Sequence, residues 1–74
     1  MSWWTGEAER AWQAVLQRHP RLAGEISREL FVAEVGKALR ESEAYRRAMG
    51  ADDRVRAAEA AAEVVAGVLR RLLP

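Results

Sequence analysis

The sequence predicts an all-α fold, a small antiparallel bundle of three main helices at about 6–18, 21–49 with a break near 27 left open, and 52–72. Three observations predict it. Apolar residues recur at spacings of three and four along most of the chain, and nothing alternates with the period of two that marks a half-buried strand. Stop signals stand at His19-Pro20 and at Gly50, and no internal repeat or low-complexity tract intervenes. Seventy-four residues are enough for one domain, taken as 1–74.

In the first helix, Thr5 is the expected N-cap, with Glu7 and Glu9 where the positive end of the helix dipole favours acids. Its apolar face is Ala8, Ala11, Trp12, Val15 and Leu16. His19-Pro20 ends it, because the residue before a proline is pushed out of the helical region. Leu22, Ala23 and Ile26 then make a short apolar face, and Ser27 is placed to cap a longer helix carrying Phe31, Val35, Ala38, Tyr45 and Met49. Ser42 falls on that apolar line, where its hydroxyl is expected to bond back to its own helix. Gly50 is the expected left-handed stop, and Asp52 or Asp53 the cap of the third helix.

The third helix is the densest pattern. Val55, Ala58, Ala62, Val65, Leu69 and Leu72 follow at spacings of three, four, three, four and three. A two-stranded coiled coil would flank such a seam with charges. Here Ala61, Ala66, Val68 and Leu73 stand in many of those places, with Ala57 and Val64 widening the apolar arc beyond half the circumference. That predicts a central helix of a thin bundle. A chain this short leaves little stabilisation above its conformational entropy, and without cysteine no disulfide adds to it, so oligomerisation is the expected remedy.

Composition narrows the class. The formal net charge is +1 with acids and bases interleaved, too weak a field to imply a polyanionic partner. Arginine outnumbers lysine eleven to one and asparagine is absent, which reads as a GC-rich or thermophilic bacterial coding bias. The lack of cysteine fits a cytoplasmic setting. The opening residues lack the pattern of a signal peptide, and no apolar stretch is long enough for a bilayer span.

No catalytic, cofactor or metal site is expected. His19 is the only histidine and has no metal-ligand partner at helical spacing, and Glu25 with Glu29 lacks an accompanying Glu-x-x-His. The expected interface comprises Trp3, Trp4, Val64, Val65, Val68, Leu69 and Leu72. Trp12 reads as a core anchor. Trp3 and Trp4 have two readings: one of them folds back as a lid, or they anchor a partner protein, as interface tryptophans do. Docking at a membrane surface would need a stronger basic face. Arg40, Arg46, Arg47, Arg54 and Arg56 gather near the turn before the third helix and would contact phosphates if they converged, but five acids share that region and ion pairs on a solvated surface fit better.

The run Ala38-Leu39-Arg40-Glu41-Ser42-Glu43-Ala44-Tyr45, followed by an acidic turn at Asp52-Asp53 and another apolar helix, resembles the helical YlbF/YmcA family, whose members carry a similar Leu-x-x-Ser-Glu-x-Tyr stretch before an Asp-containing turn. The resemblance covers the Ala38 to Asp53 region and implies a non-catalytic regulatory adaptor that works through helical assembly. The expected function is therefore a protein-protein interaction or oligomerisation module, with itself or a larger protein as partner. The alternative is a small nucleic-acid-associated protein using the arginine cluster.

Overall fold

The structure is a computed structural model that describes residues 3–73, with side chains from residue 4. Among these residues it is all helical: α1 (Trp3–Arg18), α2 (Leu22–Glu25), α3 (Arg28–Glu41), α4 (Glu43–Gly50) and α5 (Arg54–Leu72). The three helical regions expected from the sequence are present, and the middle one is divided into three.

Both divisions are made by serines. At Ser27 the backbone is extended and the hydroxyl accepts from the Leu30 amide at 3.3 Å, so the expected recapping occurs. Ser27 also donates to Glu29, whose carboxyl is held below its ordinary range first by a backbone amide and then by this hydroxyl. Ser42 departs from expectation. Instead of bonding back within one long helix, it takes an extended conformation (φ −74°, ψ 113°), ends α3, and accepts from the Tyr45 amide at 3.2 Å as the N-cap of α4. A serine competes with the backbone for its own amides, which makes it a better terminus than interior residue. Such a cap contributes about 1 kcal/mol.

Two other end signals lie elsewhere than the sequence suggested. Helix α1 begins at Trp3, so Thr5 sits inside it rather than capping it. The left-handed residue after α4 is Asp52 (φ 54°), not Gly50. The Asp52 amide donates to the Met49 carbonyl at 3.1 Å and the Asp53 amide to the Ala48 carbonyl at 2.8 Å. This pair of reversed bonds is the Schellman closure, and aspartate is one of the few non-glycine residues that enters the left-handed region readily. Asp53 then turns its carboxylate to the Arg56 amide at 3.1 Å and starts α5. One short turn thus satisfies both helix ends.

The central element is α3 rather than α5. It packs on α1 along one side and on α5 along another, and α4 folds back along the N-terminal half of α5. Trp12 of α1 meets Phe31 with ring centroids 5.0 Å apart, while Trp4 reaches Gly36 and Arg40 further along α3, so α1 and α3 run in opposite directions. Arg71, at the end of α5, pairs at 3.8 Å with Glu34 in the first half of α3. Helices α1 and α5 therefore run parallel to each other, both antiparallel to α3. The core between these helices is built from Ala8, Trp12, Phe31, Val35, Leu39, Tyr45 and Val68, closed at one end by Leu22 and Ile26.

Candidate interaction surface

Helix α5 carries two apolar lines, of which the protomer buries one and half-covers the C-terminal part of the other. Ala57, Ala60 and Val68 are buried and Val64 half-buried against α3 and α4. The seam most regular in the sequence lies beside this line. Val55 is 70% exposed, Ala58 and Ala62 are exposed, and Val65, Leu69 and Leu72 are half-buried. An apolar arc of more than half the circumference leaves periodicity unable to choose between neighbouring lines. The position of α3 makes the choice.

The outer line opens into a groove. Helices α1 and α5 both lean on α3 and meet each other little, which leaves a channel of about 490 Å³ between them. Leu39 and Ala61 form its floor, Ala11 and Val15 one wall, and Ala62 with Leu69 the other. Glu7 and Arg10 stand at the end near Ala58, and Arg18 with His19 at the end near Leu69. The expected interface residues divide accordingly. Val65 and Leu69 line the groove, Val64 and Leu72 are half-buried beside it, and Val68 is taken into the core at 1% exposure. Groove residues outside that expected set include Ala11, Val15, Ala58 and Ala62. The regular three-and-four spacing marked the last two, although alanine alone gives little sign of an interface.

Trp4 is half-buried on α3, its indole edge over Gly36 and the Arg40 guanidinium 6.0 Å above its ring. It folds back as a lid on the core. The side chain of Trp3 lies outside the described residues.

The arginines near the turn are dispersed and locally engaged. Arg47 lies 3.8 Å from Glu43, Arg54 3.7 Å from Asp52 and Arg56 3.5 Å from Asp53, while Arg40 is on the far side with Trp4. Arg46 is exposed on α4. Exposed pairs of this kind are worth about 0–1 kcal/mol each, yet every one lowers the positive potential a phosphate would meet.

Comparison with protein-family models, with curated proteins and with solved structures finds no match to this chain. The surface itself therefore carries the functional reading. No described helix is long and apolar enough to cross a membrane, and the described residues contain no group of three or more His, Cys, Asp or Glu side chains placed to hold a metal ion.

Tyr45 couples the core to pH. Its ring is buried at 1% exposure beside the Glu7 and Arg10 end of α1. Burial, and secondarily the Glu7 carboxylate, push its phenol above the ordinary value. A raised folded-state pKa favours the protonated form, so this contribution is complete below the ordinary phenol range and is lost as pH rises through the raised value. As the only tyrosine, Tyr45 is expected to ionise in the folded chain above the ordinary phenol range, with alkaline loss of helicity accompanying the rise in tyrosinate absorbance. Tyr45→Phe should move that alkaline transition to higher pH. Ionisation at the ordinary value with helicity retained would contradict the buried placement.

Proposed function

We propose that this chain is a small, non-catalytic helical interaction or oligomerisation module, an adaptor or regulatory subunit of the cytoplasm, that works through the groove face of α5. The observation supporting it most is the second apolar line, whose N-terminal members Val55, Ala58 and Ala62 stay exposed and whose Val65, Leu69 and Leu72 are only half-covered by the protomer. Covering apolar surface returns about 25 cal/mol per Å², and a domain of this size has a small core from which to draw stability. The resemblance of the Ala38 to Asp53 region to YlbF/YmcA regulatory proteins points the same way. The non-catalytic part rests on the residues present: one histidine, no cysteine, and no nucleophile in a recognisable setting.

Ala62 is exposed and faces the groove, so Ala62→Arg alters the surface without entering the core. Sedimentation of both chains, with each also immobilised to capture partners, tests the reading. Self-association or a partner held by the native chain and released by Ala62→Arg is the expected result. A native chain that is monomeric at all concentrations and holds nothing that Ala62→Arg loses would remove it. The nucleic-acid alternative predicts filter retention at low salt that falls steeply as salt rises. With Arg47, Arg54 and Arg56 beside carboxylates, no such retention is expected.

A further inference from the structure

We infer that α4 and α5 swing out as one arm about Ser42, so that two copies of this chain exchange arms while α3 and α4 of each join into one continuous helix over 28–50. The contact that joins the copies is one the protomer already makes. The exchange is therefore independent of what lies in the groove between α1 and α5.

A single residue separates α3 from α4, and it is neither glycine nor proline. No proline occurs between Pro20 and Pro74, and helix stands on both sides of Ser42. At the break the Ser42 amide turns to the Leu39 carbonyl at 3.2 Å, and the Ser42 hydroxyl takes the Tyr45 amide at 3.2 Å. The amides of Glu43 and Ala44, the first two of α4, have no carbonyl one turn back within their own helix. In a continuous helix these amides donate to Leu39 and Arg40, and the Tyr45 amide donates to Glu41. Straightening thus extends the backbone ladder through the junction. A hinge this short, with helix-forming sequence on both sides, is the kind at which arms are exchanged.

The protomer keeps the bend because α5 lies across it. The first half of α5 packs on α4, where Ala48, Ala57 and Ala60 are buried. Its second half reaches α3, where Val68 is 1% exposed and Arg71 lies 3.8 Å from Glu34. Leu39 and Ala48 are both buried, yet they stand nine residues apart, which is two and a half turns. A straight helix would turn them to opposite sides, and one α5 could not cover both. Two copies remove the conflict. Each α5 stays on the α4 of its own chain and lays its second half on α3 of the partner subunit. Every contact between arm and body is kept, only the hinges differ, and the reciprocal exchange closes the assembly at two copies.

Substitutions on the two sides of the hinge should act in opposite directions. Ser42→Ala removes the cap that the bent form uses and leaves the straight helix intact, so the dimerisation constant should rise about fivefold for each hinge and about 25-fold for the pair. Proline suits the first position of a helix and holds the residue before it extended, as Ser42 is. In a continuous helix, however, a proline at position 43 removes one ladder bond and clashes with the Leu39 carbonyl. Glu43→Pro should therefore keep native helicity by circular dichroism and lower dimerisation more than about a hundredfold. Two glycines inserted after Ser42 replace it in the test should Glu43→Pro lose helicity.

Each chain is refolded from urea at low and at high protein concentration and then sedimented. The chain contains no cysteine, so the exchange itself is read by refolding Glu34→Cys chains together with Arg71→Cys chains and adding a short bismaleimide. The reagent is expected to join the two different chains after refolding at high concentration, as it joins both positions of one doubly substituted chain refolded dilute. Dimer that forms equally well with Glu43→Pro and with the glycine insertion would overturn the inference. So would a Ser42→Ala chain that stays monomeric at its highest soluble concentration, or a dimer in which the two different chains are not joined. The exchanged dimer should survive Ala62→Arg. Its loss with that variant would assign the dimer to the groove instead, and absence of exchange leaves the groove reading to its own test.

Discussion

Phe31→Ala is expected to unfold the isolated protomer. Phe31 has no exposed surface, and its ring is tilted 46° against Trp12 at a centroid distance of 5.0 Å, so it joins α3 to α1 at the centre of the molecule. Removing a buried phenylalanine ring costs about 3–5 kcal/mol, which includes the cavity left behind. A single core in a chain this short rarely supplies more than about 3–5 kcal/mol in total. The two figures are equal, so the variant is left with no margin. Urea titration at low protein concentration, followed by tryptophan fluorescence and circular dichroism, should give a cooperative transition for the native chain and no folded baseline for the variant. Leu30→Ala, next to it on α3 but 46% exposed, should lose far less. A Phe31→Ala chain within about 1 kcal/mol of native would show that α1 is not held by this contact.

The helical class, the stop at His19-Pro20, the cap at Ser27 and a cap at one of Asp52 and Asp53 are legible because each rests on local chemistry: a fixed proline ring, a hydroxyl or carboxylate within reach of free amides, and a spacing of three and four. Ser42 was misplaced because its position on an apolar line argued for the helix interior, while its capping chemistry argued for an end, and only the packing of α4 on α5 decides between them. Conformational freedom points to Gly50 as the left-handed residue, yet the Schellman closure needs it two positions past the last helical residue, which is Asp52. The wide apolar arc of α5 argues for a central place. Width, however, does not say which part of an arc is covered, and α3 holds the central place with a narrower set of larger side chains, Phe31, Val35 and Leu39. The groove was legible as a seam and illegible as a cleft, since its other wall, Ala11 and Val15, comes from a helix more than forty residues away in the chain.

Two substitutions of the same kind, six residues apart on α5, are expected to have opposite effects. Val68→Asp places a carboxylate where the side chain is 1% exposed, and no basic group is among the buried residues to receive it. An unpaired buried charge costs several kcal/mol, beyond the margin of so small a domain, and the group responds by protonating or by unfolding the chain. Its folded-state pKa would stand above the unfolded value, so the variant should be unfolded at neutral pH and recover helicity only as pH falls through the raised value. Ala62→Asp puts the same carboxylate on the exposed groove wall, where water solvates it. That protomer should keep native helicity at neutral pH and lose only association. Circular dichroism against pH, read beside sedimentation, separates the two. Should Val68→Asp stay folded at neutral pH while Ala62→Asp unfolds, the buried and open lines of α5 would have to be exchanged, and the groove would cease to be the docking face. Folding of Ala62→Asp with unchanged association would instead leave the core in place and move the interface elsewhere on the surface.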